Sequence, residues 1–200
     1  EENGNAMVEA AVARFGGIDI LVNNASAISL NNTQALSMKQ YNLMFDINVK
    51  GTFQMCKACI PHLKKSTNAH ILNMSPPITM EDKFLGAHIA YTMSKLNMTM
   101  IALGLAVELK NDKIAANTLW PRTTIATAAV KNLLGGEQLM NMSRTTDIVA
   151  EAAHYILSQP SEECTGNTFV DEYVLQQAGV TDFEKYSVVP NAKLWSDLFL

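Results

Sequence analysis

Helical and strand-like patterns alternate along the chain. Apolar residues at helical spacing predict a first helix and lie on one face: Met7, Val8, Ala11, Val12 and Phe15. Gly16-Gly17 predicts the end of this helix. The β-rich run at residues 18–22 predicts a short buried strand that feeds a loop at Asn23-Asn24-Ala25-Ser26.

The same alternation continues to residue 170. Residues 37–65 have helical periodicity, in two pieces with Pro61 near the end, and residues 70–74 predict a strand closed by Ser75-Pro76-Pro77. Residues 88–110 carry apolar or small side chains all round, so we expect a largely buried helix. The remaining predicted elements are a strand at 114–120, a helix capped by Thr145 or Thr146 that runs to about Ser158, and a strand at 168–170. The polar and aromatic tail from residue 182 has no assignable pattern.

Strands that alternate with helices of this length are typical of βαβ units. They predict an α/β fold, a doubly wound parallel sheet of the Rossmann-like kind. Ligands of such folds bind beyond the carboxyl ends of the strands. We therefore expect the Asn23-Asn24-Ala25 loop, Ser75-Pro76 and residues 121–127 to line one crevice, with Tyr91 and Lys95 facing it.

Composition removes several classes of protein. The 200 residues are 48% hydrophobic and 17% charged, which can fill a core and is too apolar for intrinsic disorder. A formal net charge of −4 gives no sign of a nucleic-acid partner. No apolar run approaches the roughly 18 residues of a membrane span. Three cysteines make no even disulfide framework and favour a reducing intracellular compartment.

Tyr91 and Lys95 are the main candidates for chemistry. They are four residues apart on a predicted helix, so they lie on one face, separated by about 6 Å along the axis. A nearby ammonium favours the phenolate form of a tyrosine and lowers its pKa. The pair could therefore exchange a proton with a carbonyl or an alcohol. The alternative is an ordinary Tyr and Lys on a helix, because this spacing is common by chance.

The order of the surrounding motifs is more specific. Asn23-Asn24-Ala25 follows a strand, Asn48 lies within a helix, Ser75 ends the next strand, and Pro121-Arg122-Thr123 follows the strand after the Tyr91–Lys95 helix. In this order the chain resembles the short-chain dehydrogenase/reductase superfamily over most of its length. The stretches that carry the resemblance in detail are residues 18–29, 58–61, 70–77 and 119–121.

The resemblance implies catalytic roles for four residues. Tyr91 would be the acid/base, Lys95 would lower its pKa and bind the nicotinamide ribose, and Asn48 would hold a helix kink and a water of the proton relay. Ser75 would polarise the substrate oxygen, with Thr79 as a second candidate hydroxyl. We expect Asn48 to be buried, with its amide bonded to backbone near Lys95.

The resemblance also implies a nucleotide site. Asn24 and Ala25 would pass beside the adenine ribose, Tyr91 and Lys95 would contact the nicotinamide half, and Pro121 and Thr123 would border the nicotinamide. The cofactor would be NADP or NAD, and the choice cannot be read because no second-strand selector is present.

Three features depart from the family pattern. The family's catalytic serine is the second of a Ser-Ser pair, and that place is Pro76 here. The glycine that usually follows the proline after the next strand is Arg122. No Gly-x-x-x-Gly-x-Gly turn follows a strand within the 200 residues, so residues 1–200 are interpreted as a single partial domain, truncated at its N-terminus, with the tail from about 182 unassigned.

These features predict an NAD(P)-dependent oxidoreductase for a carbonyl/alcohol pair, with a lipid-like substrate such as a steroid or fatty acyl group. Without the phosphate turn, we expect this stretch to be inactive alone. The alternatives are a non-catalytic remnant that binds lipid or a partner protein, and an enoyl-CoA-type reductase. The resemblance implies a peroxisome or a mitochondrion and allows a homo-oligomer; Cys56-x-x-Cys59 lacks a second ligand pair, so no metal site is predicted.

Overall fold

A four-stranded sheet organises the chain. The computed structural model describes residues 2–200, and its strands β1 (Ile20–Asn23), β2 (Ala69–Met74), β3 (Ile114–Trp120) and β4 (Thr168–Val170) lie in the order β1-β2-β3-β4. β1 and β2 are parallel, with Ile20 opposite His70 and Asn23 opposite Asn73. The predicted parallel α/β fold is confirmed.

Helices connect and flank the strands. The α-helices are α1 (Glu2–Phe15), α2 (Met38–Met44), α3 (Thr52–Leu63), α4 (Asp82–Ala87), α5 (Ile89–Glu108), α6 (Gly136–Asn141), α7 (Asp147–Leu157) and α8 (Asp171–Gln177). A π-helical segment, Phe45–Gly51, joins α2 to α3, and another covers Val130–Leu134. Single 3₁₀ turns lie at Lys110–Asp112 and Glu184–Tyr186.

The first strand differs from its prediction. β1 begins at Ile20 and is only half buried, because successive side chains of a strand point to opposite faces. Leu21 packs into a core with Cys56 and Cys59 of α3, whereas Ile20 and Val22 are exposed. The uniformly apolar sequence suggested burial on both faces, but only one face is covered within the described residues.

The prediction that α5 is largely buried was wrong on one side. Met93, Met100 and Val107 are 41%, 62% and 77% exposed. A spacing of seven residues is two helical turns, so these side chains form one apolar stripe, which we call the α5 stripe. The opposite side carries Tyr91 and Lys95 and is buried. An all-round apolar composition could not indicate which side neighbouring elements would cover.

Two compact units divide the chain. One contains residues up to Thr118 together with Gln159–Thr168, and its core is built from α1, β1, α3, β2, α5 and β3. The other contains Leu119–Ser158 and Phe169–Leu200. The prediction of a single partial domain stays a prediction.

The tail that sequence patterns left unassigned is ordered in the second unit. Tyr186 is buried and donates its hydroxyl hydrogen to Glu151 of α7 at 2.5 Å. Thr145 N–H donates to the carbonyl of Tyr186, which attaches the tail before α7 begins. Within residues 2–200, no helix is both long enough and apolar enough to cross a bilayer.

Candidate active site

Asn48 is the centre of a buried hydrogen-bond network. It lies in the π-helical segment between α2 and α3 and is 0% exposed. Its Oδ1 accepts from the backbone N–H of Ala27 at 2.8 Å and from the hydroxyl of Ser26 at 3.0 Å. Its Nδ2 donates to the carbonyl of Ala27 at 2.9 Å and to the hydroxyl of Ser94 at 3.0 Å. Both halves of the amide are therefore satisfied.

This network corrects one expectation. The predicted burial of Asn48 is confirmed, but its amide does not pair with backbone near Lys95. It bonds the backbone of Ala27 in the loop after β1, and it reaches the Lys95 region through the side chain of Ser94. Ser94 in turn donates to the carbonyl of Tyr91, so one chain of hydrogen bonds runs from Ala27 through Asn48 and Ser94 to the backbone of Tyr91.

The π-helical segment explains how Asn48 contacts both Ala27 and Ser94. One wider turn interrupts the regular i→i−4 ladder and changes the direction in which the side chains before and after it point. Such interruptions of α-helices are frequent at functional sites. The local geometry is thus the helix distortion that the resemblance implied at Asn48.

Lys95 lies at the end of β2. Its side chain is almost completely buried, and Nζ donates to the carbonyl of Met74, the last residue of β2, at 2.8 Å. Tyr91, one turn earlier on α5, is also buried, and its ring meets His88 edge to face at 6.1 Å between ring centroids. A buried ammonium that keeps hydrogen-bond partners is a fixed positive charge, and such a charge favours the ionised form of a nearby phenol.

Two asparagines to which the sequence analysis assigned no role fix the ends of β1 and β2. Asn23 donates from Nδ2 to Oδ1 of Asn73 at 2.8 Å, across the pair of strands. Asn73 donates from its own Nδ2 to the carbonyl of Met98 on α5 at 2.9 Å. The only sequence signal was a polar residue within each apolar run. Through these bonds, the ends of β1 and β2 and the middle of α5 are held together.

The hydroxyl of Ser75 is directed to α5. Ser75 is fully buried, and Thr99 donates its hydroxyl either to Oγ of Ser75 at 2.9 Å or to the carbonyl of Pro76 at 2.6 Å. Thr79, the alternative hydroxyl, accepts from the backbone N–H of Glu81 at 3.3 Å in a local turn. The catalytic role of Ser75 stays a prediction, since substrate polarisation requires its hydroxyl to turn from Thr99 toward the substrate.

The predicted nucleotide contacts fall into two groups. Asn24 and Ala25 follow β1 directly and are exposed, as residues that border a ligand beyond a strand end should be. Pro121 and Thr123 follow β3 and belong to the second unit. Thr123 is buried, and its Oγ1 has no hydrogen-bond partner. A buried polar atom left unpaired is unfavourable by itself, so this loop fits a polar ligand group better than an apolar one.

Cysteine and metal chemistry find no support at these positions. Cys56 and Cys59 are buried in the core, and burial raises the pKa of Cys56 to about 12, although the Asn23 amide that donates to its sulfur opposes the rise. A thiol with so high a pKa is a poor nucleophile and ligand. Among residues 2–200, no group of three or more His, Cys, Asp or Glu side chains could hold a metal ion.

Comparison with known proteins agrees with this geometry. The short chain dehydrogenase family model matches residues 1–138. Over all 200 residues the chain is 50% identical to hydroxysteroid dehydrogenase-like protein 2 of Xenopus tropicalis and 47% identical to that of Homo sapiens, and it covers 47% of the length of each. A solved structure of a short chain dehydrogenase from Mycobacterium thermoresistibile matches the whole chain with a TM-score of 0.93 and 49% identity, and 70% of that protein is covered.

The match is strong in similarity and partial in length. A structure from Xanthomonas campestris matches with a TM-score of 0.95 and 44% identity, over 100% of this chain and 72% of the other. The chain spans about half the length of the curated relatives it matches. The family model covers more than half of the chain, and the relatives share nearly half of its residues. The chain therefore belongs to the short-chain dehydrogenase family.

Proposed function

We propose that this protein takes part in an NAD(P)-dependent oxidation or reduction of a carbonyl/alcohol pair. One observation supports this most directly: Asn48, in a distorted helix, is bonded to Ser94, whose neighbour Lys95 is held at the end of β2 one turn from Tyr91. This is the set of residues that acid–base chemistry at an oxygen requires. The family supports a nicotinamide nucleotide, and the choice between NAD and NADP stays open.

Each residue has a role in this proposal. The nicotinamide nucleotide supplies or accepts the hydride when it is bound. Tyr91 gives a proton to the substrate oxygen, or takes one from it, and Lys95 keeps a positive charge nearby that favours the phenolate. Asn48 fixes the loop after β1 and, through Ser94, the helical turn that carries both residues. Asn24 and Ala25 would contact the nucleotide, as would Pro121 and Thr123.

The substrate class, the compartment and the assembly are finer proposals. A lipid-like substrate, steroid or fatty acyl, is supported by the names of the relatives and by the exposed apolar side chains of Leu133 and Leu134. A peroxisomal or mitochondrial location is proposed from the resemblance alone. A homo-oligomer is supported by the α5 stripe, and sedimentation of the wild type against Met100→Glu would test it.

The 200 residues taken alone should bind a nicotinamide nucleotide with low affinity. They contain no glycine-rich turn after a strand to hold the pyrophosphate. The loss of two or three charge-assisted hydrogen bonds weakens binding by about a hundredfold or more. We therefore propose that these residues alone bind NAD(P) poorly and do not catalyse turnover. A form with a Gly-x-x-x-Gly-x-Gly unit ahead of them should bind NAD(P) and catalyse turnover.

Fluorescence titration with NADPH separates these cases. The 200-residue chain and a form extended by a glycine-rich βα unit are titrated side by side, and the extended form is assayed for turnover with steroid and acyl carbonyl substrates. Micromolar binding by the 200 residues would show that the turn is dispensable.

Tyr91→Phe in the extended form tests the chemistry. Removal of a general acid should reduce kcat by about 10²–10⁴ while nucleotide affinity is kept. Tyr173→Phe, at a half-exposed tyrosine of α8, is the matched control and should leave kcat unchanged. Equal kcat for both variants would overturn the assignment of Tyr91 as the acid/base. Absence of turnover in the extended wild type would instead favour a non-catalytic protein that binds lipid or a partner.

A further inference from the structure

The last residues of the chain run antiparallel to the segment that follows β3. We call residues 195–199 the strap and residues 120–124, which begin at the last residue of β3, the loop. Thr124 N–H donates to the carbonyl of Trp195 at 2.9 Å, and Thr123 forms a β-bridge with Ser196. Three consecutive positions of the loop are thus paired with the strap, the third being Arg122.

Arg122 is held through its carbonyl on this side. Asp197 N–H donates to the carbonyl of Arg122 at 3.2 Å. At the start of the loop, the indole N–H of Trp120 donates to the carbonyl of Leu198 at 2.7 Å. The rings of Trp120 and Phe199 meet edge to face, 5.7 Å apart at an angle of 69°. Both rings are buried, so the strap ends in an apolar anchor.

Asp171 binds the other backbone group of Arg122, its N–H. Its Oδ1 accepts the N–H of Arg122 at 2.8 Å and that of Glu172 at 2.6 Å. The side chain is 0% exposed, and its second oxygen, Oδ2, is buried with no hydrogen-bond partner. The N–H and the carbonyl of Arg122 are therefore both bound, by two segments far apart in sequence.

The charges around Asp171 oppose one another. Arg144, which forms a partly buried ion pair with Glu172, attracts the carboxylate, and Glu172 repels it. Burial is the largest influence and raises the pKa of Asp171 to about 6, while the two backbone N–H groups and Arg144 act in the opposite direction. Asp171 is thus an ionisable group placed where its charge state bears on a backbone hydrogen bond.

We propose that Asp171 and the strap are positioning elements that hold the loop in one path and thereby set nucleotide affinity. The link to the nucleotide rests on the proposed function, in which this loop borders the cofactor. Arg122 occupies the place where the family pattern has glycine, and it adopts no positive φ. Hydrogen bonds from Asp171 and from the strap, both outside the loop, fix the backbone conformation of Arg122. A loop ordered in advance loses less conformational entropy on binding.

Amide hydrogen exchange tests the hold without any activity. Protection of the Arg122 and Thr124 amides is measured by NMR in the 200-residue chain, as wild type, Asp171→Ala and Asp171→Asn. A hydrogen bond to a charged group corresponds to about a tenfold or greater change in an opening equilibrium. We expect Asp171→Ala to lower Arg122 protection by about that factor, and Asp171→Asn, which keeps a neutral acceptor oxygen, to lower it less. Equal Arg122 protection in all three proteins would overturn the proposal.

A pH series covers the case in which Asp171→Ala does not fold. Protection of Arg122 in the wild type should fall as pH decreases through about 6, because a protonated carboxyl is a weaker acceptor. In Asp171→Asn it should stay constant relative to amides of α5. A wild type whose Arg122 protection is independent of pH, like that of Asp171→Asn, contradicts the role of Asp171.

Kinetics of the extended form test the consequence. Asp171→Ala and Phe199→Ala should raise the KM for the nucleotide by about tenfold and change kcat by less than threefold, as loss of binding order predicts. Glu163→Gln, at an exposed carboxylate of the other unit, is the control. A fall in kcat with KM unchanged would overturn the proposal. If the wild type showed no turnover at all, the proposed function would fail while the exchange result stood.

Discussion

Ala27 and Arg122 lie in loops that follow strand ends, after β1 and after β3, but the two loops are held in different ways. The loop after β1 is fixed by one side-chain amide, which bonds the N–H and the carbonyl of Ala27 from inside the unit. The loop after β3 is fixed through its own backbone, by a carboxylate on one side and the C-terminal strap on the other. The first arrangement depends on which residue stands at one position. The second depends mainly on where a distant segment of chain lies.

This difference decides what each region tolerates. An amide that both donates and accepts has no equivalent among the other side chains except glutamine, which is one methylene longer. Main-chain pairing survives most substitutions in the strap, since every residue except proline supplies the same N–H and carbonyl. A single substitution of Asn48 should therefore release the loop after β1, whereas single substitutions in the strap should each weaken the attachment of the loop after β3 only slightly.

Replacement of Asn48 by alanine should have the largest effect. The change leaves Ala27 N–H, Ala27 C=O and the hydroxyls of Ser26 and Ser94 without their partner in a buried site. Loss of a buried network of this size lowers the free energy of unfolding by about 3–5 kcal/mol. Urea unfolding followed by circular dichroism measures it. Asn42→Ala, on the exposed side of α2, should change the free energy of unfolding by less than about 0.5 kcal/mol. Equal changes in the free energy of unfolding for Asn48→Ala and Asn42→Ala would mean that the Asn48 network does not hold the loop after β1.

The sequence predicted the fold where one physical signal dominated. β3 was located at 114–120 and α7 ended within one residue of its prediction, because strand burial and helix periodicity agree with the local sequence there. α4, α6 and α8 were missed, since helices of six or seven residues contain too few turns to show a period. Exposure of the α5 stripe was also missed, because hydrophobicity does not report which neighbours a helix has.

The candidate site was predictable as far as residue types allowed. The i, i+4 spacing placed Tyr91 and Lys95 on one helix face, and burial of Asn48 followed from its apolar neighbours. The partners of Asn48 did not follow, since Ala27 and Ser94 are 21 and 46 residues away along the chain. The strap was invisible for the same reason: its hydrogen bonds are made by backbone groups, which every sequence has.

Asp171→Asn should have a smaller effect, and one that depends on pH. Because burial raises the folded-state pKa of Asp171 to about 6 from an ordinary value of 3.8, the folded protein binds the proton more tightly than the unfolded chain. Stability from this group is therefore present below pH 4 and is lost as pH rises toward and through about 6. Relative to the wild type, Asp171→Asn should gain up to about 3 kcal/mol in free energy of unfolding between pH 4 and pH 7.5.

Thermal or urea unfolding at several pH values measures this gain. Asp147→Asn, at an exposed carboxylate in the first turn of α7, is the matched control for removal of a carboxylate and should change the free energy of unfolding by less than about 1 kcal/mol. A difference between Asp171→Asn and the wild type that is the same at every pH would mean that the carboxylate titrates alike in the folded and unfolded states.

The anchor of the strap should give the smallest effect, and a double-mutant cycle isolates it. Trp120→Phe removes the indole N–H that donates to Leu198 and should lower the free energy of unfolding by about 1–2 kcal/mol. Trp195→Phe, at a half-exposed tryptophan of the strap, is the control and should lower it by less than about 0.5 kcal/mol. Phe199→Leu removes the edge-to-face contact with Trp120 and leaves an apolar side chain of similar size. Combined with Trp120→Leu, which removes the ring that Trp120→Phe keeps, it should show a coupling of about 0.5–1.5 kcal/mol, because the aromatic pair is lost only once. Strict additivity would mean that the two rings stabilise the protein independently, and that the backbone pairing alone attaches the strap to the loop.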